Sequence, residues 1–335
     1  MRTFSIVLLA LAACNKDKVD DDSAAVSDTD PVDTDDTDTL TGDCSATVLS
    51  STPEDGDSDV YYRTVFTVSF DGDGQTDAAE FSVLDDVGNP ADVTDVVWSD
   101  GGVQVMFRAD LAPSTAYQLG TTVCGVTTAA SFVTNTIGTP IADGNASLAG
   151  RAYVTRLSDA TIVDPAVLDP LLGQYLTVPL LFEVTAADDT TIDLLGALGY
   201  QEDDGSFTQL TDLPSWDFPA GDFTDTPYFF AQAASITILY GDIPIPLEDF
   251  TLEGSFTADG SQIVYGRATG LGDTRYLGAL VNQPDVESAV CDLAGAMGVY
   301  CEPCADGEPY CLFIIAEDIE ADYEEGLDVV EVLPT

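Results

Sequence analysis

The sequence predicts an all-β protein, a small sandwich followed by a larger, mostly antiparallel β domain with one or two short helices. Three observations predict it. Apolar residues recur with a period of two in short runs, as in Phe66, Val68 and Phe70 set against Thr67 and Ser69, the pattern of a strand with one buried face. Turn chemistry built on Gly, Pro, Asn and Asp separates those runs. Apolar residues make up 45% of 335 residues, enough for two folded domains and a tail.

The first stretch stands outside that pattern. Arg2 gives a short positive start, and Phe4 to Ala13 form an apolar run too brief to span a bilayer. The run closes on Leu11-Ala12-Ala13-Cys14, an ending that resembles the lipobox of bacterial lipoproteins. The resemblance implies that residues 1–13 are a signal peptide removed before Cys14. It further implies a diacylglycerol thioether on the Cys14 sulfur and, often, an acyl group on the new amino terminus. Each buried methylene contributes about 0.8 kcal/mol, so two or three chains hold where one holds weakly. Asn15 follows, not the aspartate that often marks inner-membrane retention in enteric bacteria, which points to the outer membrane. Residues 14–43 then form a spacer in which Asp20-Asp21-Asp22 and Asp33-Thr34-Asp35-Asp36-Thr37-Asp38 repel one another and offer nothing to bury.

Charge narrows the function classes. Asp and Glu total 60 against 9 Lys and Arg, a formal net charge of −51. Nucleic acid is disfavoured as a partner, because phosphate binding needs a basic footprint. A bare anionic membrane repels the same surface, so membrane attachment falls to the acyl anchor. Histidine is absent, and both lysines, Lys16 and Lys18, lie beside the anchor. That removes the usual general base and the Ser-His, Cys-His and Ser-Lys nucleophile pairs. A carboxylate pair of the glycosidase kind remains open.

Residues 44–137 read as the sandwich. Tyr62, Phe66, Val68 and Phe70 alternate with Arg63, Thr67 and Ser69, and Phe81 and Val83 precede a turn at Gly88-Asn89-Pro90. Val96-Val97-Trp98 leads through Ser99-Asp100-Gly101-Gly102 into Val103, Val105 and Phe107, a hairpin pattern. Leu111-Ala112-Pro113-Ser114-Thr115-Ala116-Tyr117 resembles the turn into strand F of fibronectin type III domains and of bacterial Ig-like domains of the S-layer type. The resemblance implies a tyrosine whose hydroxyl bonds nearby backbone. Phe132-Val133-Thr134 fits the last strand. Cys44 and Cys124 are the cysteines of this segment, and export makes a disulfide between them the default. Asp71-Gly72-Asp73-Gly74-Gln75-Thr76-Asp77, with Glu80 beyond, carries two readings. Asp71, Asp73, Asp77 and Glu80 are candidate calcium ligands in a fragment of a calcium loop; an acidic turn between strands accounts for the same residues.

Residues 138–335 resemble no family. Strands are expected over residues 147–157, 175–185, 190–201, 228–240, 250–257 and 262–269, the last two joined at Ala258-Asp259-Gly260-Ser261. Asp164-Pro165 opens a short helical stretch through Leu172, and Asp285 is the expected cap of another running to Ala296. Val178 to Phe182 and Phe229 to Tyr240 are richer than a one-sided strand needs, as strands buried on both faces or as the lining of a pocket for a lipid-like ligand. Cys291, Cys301, Cys304 and Cys311 are expected as two disulfides, with all three pairings open. Cys301-Glu302-Pro303-Cys304 resembles the thioredoxin motif, but turn sequence comes after it where a helix is needed. Leu312 to Ile319 makes a closing strand, and an acidic tail runs from Glu324.

The expectation is a non-catalytic lipoprotein of the outer membrane, surface-exposed or periplasmic, offering a binding or structural surface to an envelope protein or glycan. It needs no cofactor beyond the candidate calcium. The competing expectations are a carrier of a hydrophobic ligand in the second domain and a carboxylate-based glycoside hydrolase.

Overall fold

The computed structural model describes residues 44–172, 176–240 and 243–333, and it is all-β. Cys14 and the spacer lie outside the described residues. Residues from Cys44 on form one compact unit with two main apolar cores.

The first core sits between two sheets. Nine strands supply them: β1 (Val48–Thr52), β2 (Asp57–Val60), β3 (Phe66–Phe70), β4 (Glu80–Asp85), β5 (Pro90–Ala91), β6 (Val93–Trp98), β7 (Gln104–Ala109), β8 (Ala116–Val123) and β9 (Val126–Thr134). One sheet runs β1-β3-β7-β6 and the other β2-β9-β8-β4-β5, the partition of an immunoglobulin-type sandwich. Alternation fixes which face is buried: Phe66, Val68 and Phe70 point inward with Val105 and Phe107, and the Phe66 ring stacks on Phe107 at 5.0 Å. Tyr117 closes the corner, its hydroxyl accepting the Ala112 N–H at 2.8 Å. Tyr62 departs from its expected place. It lies in the connection before β3, which starts at Phe66.

The second core fills a barrel. Its strands are β10 (Arg151–Thr155), β11 (Thr161–Asp164), β12 (Leu180–Ala187), β13 (Thr191–Gln201), β14 (Phe207–Gln209), β15 (Trp216–Asp222), β16 (Tyr228–Tyr240), β17 (Ile243–Phe256), β18 (Gln262–Asp273) and β19 (Cys311–Tyr323). The path β10-β12-β13-β15-β16-β17-β18-β19 is antiparallel throughout, and β10 also pairs β19 through Tyr153↔Tyr323 and Val154↔Asp322. That pairing closes eight strands, a number whose interior side chains can fill. Phe182, Phe218, Phe229, Phe250 and Phe256 do so together with Tyr153 and Trp216. Gly196 of β13 makes room for them, since a Cβ there would stand 2.8 Å from Trp216 and 3.0 Å from Phe218. Phe229 to Tyr240 proves one-sided, with Phe229, Ala231, Ala233, Ile236 and Ile238 buried and Gln232 and Ser235 exposed.

Among the described residues, two α-helices decorate the barrel, α1 (Asp169–Leu172) and α2 (Ala289–Ala296). The cap of α2 is Ser288, so the helix begins later than Asp285 implies. Cys291 bonds Cys301 and Cys304 bonds Cys311, stapling α2 and its loop to the start of β19. Among the described residues, no helix is long and apolar enough to cross a membrane. The acidic tail packs against the protein. Val329 is 4% exposed and shares a small outer cluster with Leu181, Leu195 and Ala197.

The barrel turns explain part of the acidity. Asp188, Asp204, Asp222 and Asp259 each accept both the N–H and the hydroxyl of the residue two places on: Thr190, Ser206, Thr224 and Ser261. Such Asx turns hold the chain reversal. Hydrogen bonds to the ionised form lower all four pKa values, that of Asp259 to about 2 through the Ser261 N–H and hydroxyl. A folded pKa below the unfolded value, about 3.9, gives stability that is present above pH ~4 and is lost as pH falls toward 2. Protonation also relieves self-repulsion in so acidic a chain, which acts the other way. The measurement is therefore the difference in Tm between the parent and Asp259→Asn, in which that common effect cancels. The difference is expected to shrink from pH 5 to pH 2, and a constant difference would contradict this role for Asp259.

Candidate functional site

The residues singled out in the sequence are spread over the sandwich and the end of the barrel. Cys44 and Cys124 form a disulfide with a Cα separation of 5.4 Å. In the acidic loop each aspartate is engaged by the chain. Asp71 accepts the Thr47 N–H at 2.6 Å, Asp73 accepts the Thr76 N–H at 2.9 Å and its hydroxyl, and Asp77 accepts the N–H groups of Ser45 and Ala46 at 3.0 and 2.9 Å. These bonds depress the pKa values of Asp71 and Asp73. Glu80 begins β4, opposite Thr122. Among the described residues, the three ligand-type side chains that gather within 4.8 Å of one another are Cys44, Asp77 and Cys124, and the two thiols are consumed in the disulfide. The loop ties the first strand to the sandwich, and among the described residues no three of Asp71, Asp73, Asp77 and Glu80 gather within that distance.

Convergence occurs elsewhere, where the sandwich meets the barrel. After β2 the chain turns, with the Thr64 N–H donating to the Tyr61 carbonyl at 3.0 Å, and Tyr61, Tyr62 and Arg63 project in succession. The Tyr61 ring stacks on Tyr265 of β18 at 4.1 Å and 9°, and its hydroxyl lies 2.7 Å from that of the fully buried Ser255 in β17. Tyr265 sits at φ +51°, at an irregularity in the β17–β18 and β18–β19 ladders, and its hydroxyl accepts the Asn135 side-chain amide at 2.7 Å. Tyr62 packs edge-on against Tyr61 at 5.1 Å, over Gly138. Any Cβ at residue 138 would lie 2.8 Å from that ring, and the φ of +100° favours glycine as well.

Arg63 completes the contact. Its guanidinium carbon lies 3.7 Å from the Tyr228 ring centroid, and Nη1 pairs with Asp225 at 3.3 Å. The Tyr228 hydroxyl donates to Glu253, which also pairs with Arg267 at 3.6 Å. Burial pushes the hydroxyls of Tyr61 and Tyr228 well above the ordinary phenol range, and the Glu253 charge adds to the effect at Tyr228. Both stay neutral hydrogen-bonding groups. Arg108 of β7 donates to the Arg63 carbonyl at 3.1 Å, fixing the turn from the sandwich side.

Beside this contact opens a cavity of about 280 Å³ lined by Tyr62, Arg63, Asp95, Arg108, Asp110 and Asp225, among others. Of the six arginines between residues 44 and 335, two are here. Asp95 is held at φ +53° where the β6–β7 register shifts between Thr94 and Val97. Among the described residues, the Asp95 and Asp110 carboxylates take no hydrogen bond or ion pair. Alternation in the sequence assigns Tyr62 and Arg63 to a strand and gives no sign of this site. The available signal is Tyr61-Tyr62-Arg63 itself, paired aromatics beside a cation in a chain with almost no cations.

Comparison with family models finds no match, and neither does comparison with curated proteins. Among solved structures, the chain is similar to CopC from Methylosinus trichosporium OB3b at 18% identity, covering 27% of this chain and 94% of that one with a TM-score of 0.23. It is similar to the S-layer protein rSbsC(31-844) at 10% identity and to surface layer protein SbsC, domains 1-6, at 8%. Each covers 86% of this chain and 55% of the other, with TM-scores of 0.22 and 0.23. The chain thus spans about half the length of those S-layer chains. At such TM-scores these likenesses carry no inference about function.

Proposed function

We propose that this protein is a lipid-anchored component of a bacterial cell envelope with a non-catalytic role. Cys14 carries the acyl chains, residues 15–43 hold the body away from the outer membrane, and the sandwich and barrel present a surface to an envelope protein or glycan. The observation that carries the reading is Leu11-Ala12-Ala13-Cys14 behind a short apolar run. Three disulfides support it, since structural disulfides persist in oxidising compartments. The aromatic filling of the barrel supports use of the exterior over carriage of a ligand inside.

The test is Cys14→Ser in a bacterial host fed radiolabelled palmitate. The parent is expected to take up label, to partition with membranes and to lose 13 residues from its amino terminus. The variant is expected to lose label and membrane partition, as is the parent when signal peptidase II is inhibited. Unchanged processing and partition in the variant would sink the anchor.

A further inference from the structure

We infer that the cavity beside the sandwich–barrel contact is a binding site for a neutral, hydroxyl-rich ligand, one sugar ring at the end of a glycan. The inference rests on the binding role proposed above and is independent of the anchor. Ligand sites favour clefts between structural units, and they combine some apolar lining with a few polar groups that fix orientation. This cavity has that make-up. Tyr62, Ala109 and Leu111 supply carbon, and Arg63, Asp95, Arg108, Asp110 and Asp225 supply polar groups. Its volume of about 280 Å³ stands just below the range of roughly 300–1,000 Å³ for small-molecule pockets. That is room for one ring.

The class of ligand follows from charge and from hydrogen-bonding capacity. Two guanidiniums against three carboxylates leave the lining near neutral, at a formal −1. An anion meets three carboxylates and a cation meets two guanidiniums, so neither gains the one-signed field that would select it. Arg63 is already committed, to Asp225 and to the Tyr228 face. Arg108 gives one bond, to the Arg63 carbonyl, out of five N–H donors. Asp95 and Asp110 supply four acceptor oxygens without protein partners. Free donors and free acceptors lining one cavity match groups that donate and accept at once, and neighbouring hydroxyls on a ring present them in pairs. Guanidinium and carboxylate both bind such pairs in a two-pronged way.

Saturation-transfer NMR on the full chain, with the methyl glycosides of glucose, galactose, mannose and N-acetylglucosamine as probes and sulfate and acetate as competitors, tests this. At least one glycoside is expected to receive saturation, without displacement by either anion. Asp110→Asn and Arg108→Ala are expected to weaken that binding about tenfold or more, as loss of a hydrogen bond to a charged group implies. Asp110 has an exposed side chain without partners, so Asp110→Asn should keep the parent Tm and remains informative if Arg108→Ala disturbs the turn at Arg63. Absence of transfer to all four glycosides, displacement by either anion, or parental affinity in Asp110→Asn overturns the inference. Palmitate labelling of the same preparations separates the two proposals. Label without sugar binding removes this site alone, and sugar binding without label removes the anchor alone.

Discussion

Truncation before Glu324 is expected to leave the barrel folded, to destabilise it by about 3–5 kcal/mol and to make it bind a hydrophobic dye. The reason lies in how residues 324–333 cross the outer face of β10, β12 and β13. That face is apolar where a solvated sheet would be polar: Ala152, Val154, Leu181, Leu195 and Ala197 point outward and are buried by Val329 and Leu327. Backbone recognition holds the segment in place. The Gln209 side chain exchanges two hydrogen bonds with the Val330 backbone, at 2.7 and 2.9 Å, as a strand neighbour would. Ser215 does the same for Val332, and Glu183 accepts the Val329 N–H at 2.7 Å. Burying a Val or Leu side chain is worth about 1.5–3 kcal/mol, and a typical hydrogen bond adds about 0.5–1.5. One full and one partial apolar burial give about 2–4.5 kcal/mol, and the hydrogen bonds, largely exposed and offset by the entropy of ordering the segment, add about 0.5–1 net. Urea denaturation of the truncated chain measures it, and Val329→Asp should shift the midpoint in the same direction by less. A midpoint within error of the parent, with no dye binding, would mean that the segment contributes nothing to the fold.

The strap also shows why the barrel is only partly legible in the sequence. Val178 to Phe182 reads as buried on both faces, and Leu181 is, but the element that covers its outer face lies about 150 residues away in a stretch that reads as an acidic tail. Local pattern cannot supply that partner. Proline hides two strand segments for a comparable reason. β15 carries Pro219 and Ala220 at φ +51°, and it survives because its pairing to β16 is confined to Asp222↔Phe230. The start of β17 carries Pro244 and Pro246. Residues 243–246 pair only with β16, because the ladder to β18 begins at Leu247, so neither proline costs a ladder bond on the other side. The sandwich is more readable. Strands β3, β7 and β8 alternate cleanly, and its corner tyrosine sits in a local motif. The candidate site is not, because it joins residues 61–63, 94–111 and 225, which no periodicity connects.

The acidity belongs to the same account. Read as composition, the carboxylates suggest cation binding or habitat. In the structure many of them cap turns, as Asp188, Asp204, Asp222 and Asp259 do in the barrel and Asp73 does in the sandwich loop. An aspartate two residues before Ser or Thr makes this turn at Asp188, Asp204, Asp222 and Asp259, whereas Asp73 reaches Thr76, three residues on, and Asp189, with the same D-x-[ST] spacing, accepts from Asn145 instead.

Replacing Cys44 and Cys124 together by serine is expected to cost about 4–5 kcal/mol, the largest loss among the three disulfides. The pair is 80 residues apart in sequence, and in the chain-entropy account the stabilisation grows with the logarithm of the loop closed, about 4.5 kcal/mol for a loop of that order. The bonds Cys291–Cys301 and Cys304–Cys311 span 10 and 7 residues, and the same account gives each roughly 2–3 kcal/mol. Position reinforces the ranking. Cys124 and Gly125 are the two turn residues between β8 and β9, both at positive φ, as the tightest hairpin turns require. Cys44 lies just before β1, at the edge of the opposite sheet, so the bond joins the two layers at one end. Without it, β1 is held at that end by the Asp77 bonds to Ser45 and Ala46 and the Asp71 bond to Thr47, which are partly exposed and compete with water. Double replacement avoids leaving a free thiol. Chemical denaturation of C44S/C124S beside C304S/C311S should show the larger midpoint shift in the first. A larger shift in C304S/C311S would overturn the ranking, and a loss below about 1 kcal/mol in C44S/C124S would show that pairing to β3 and the Asp71 and Asp77 hydrogen bonds hold the first strand without the disulfide.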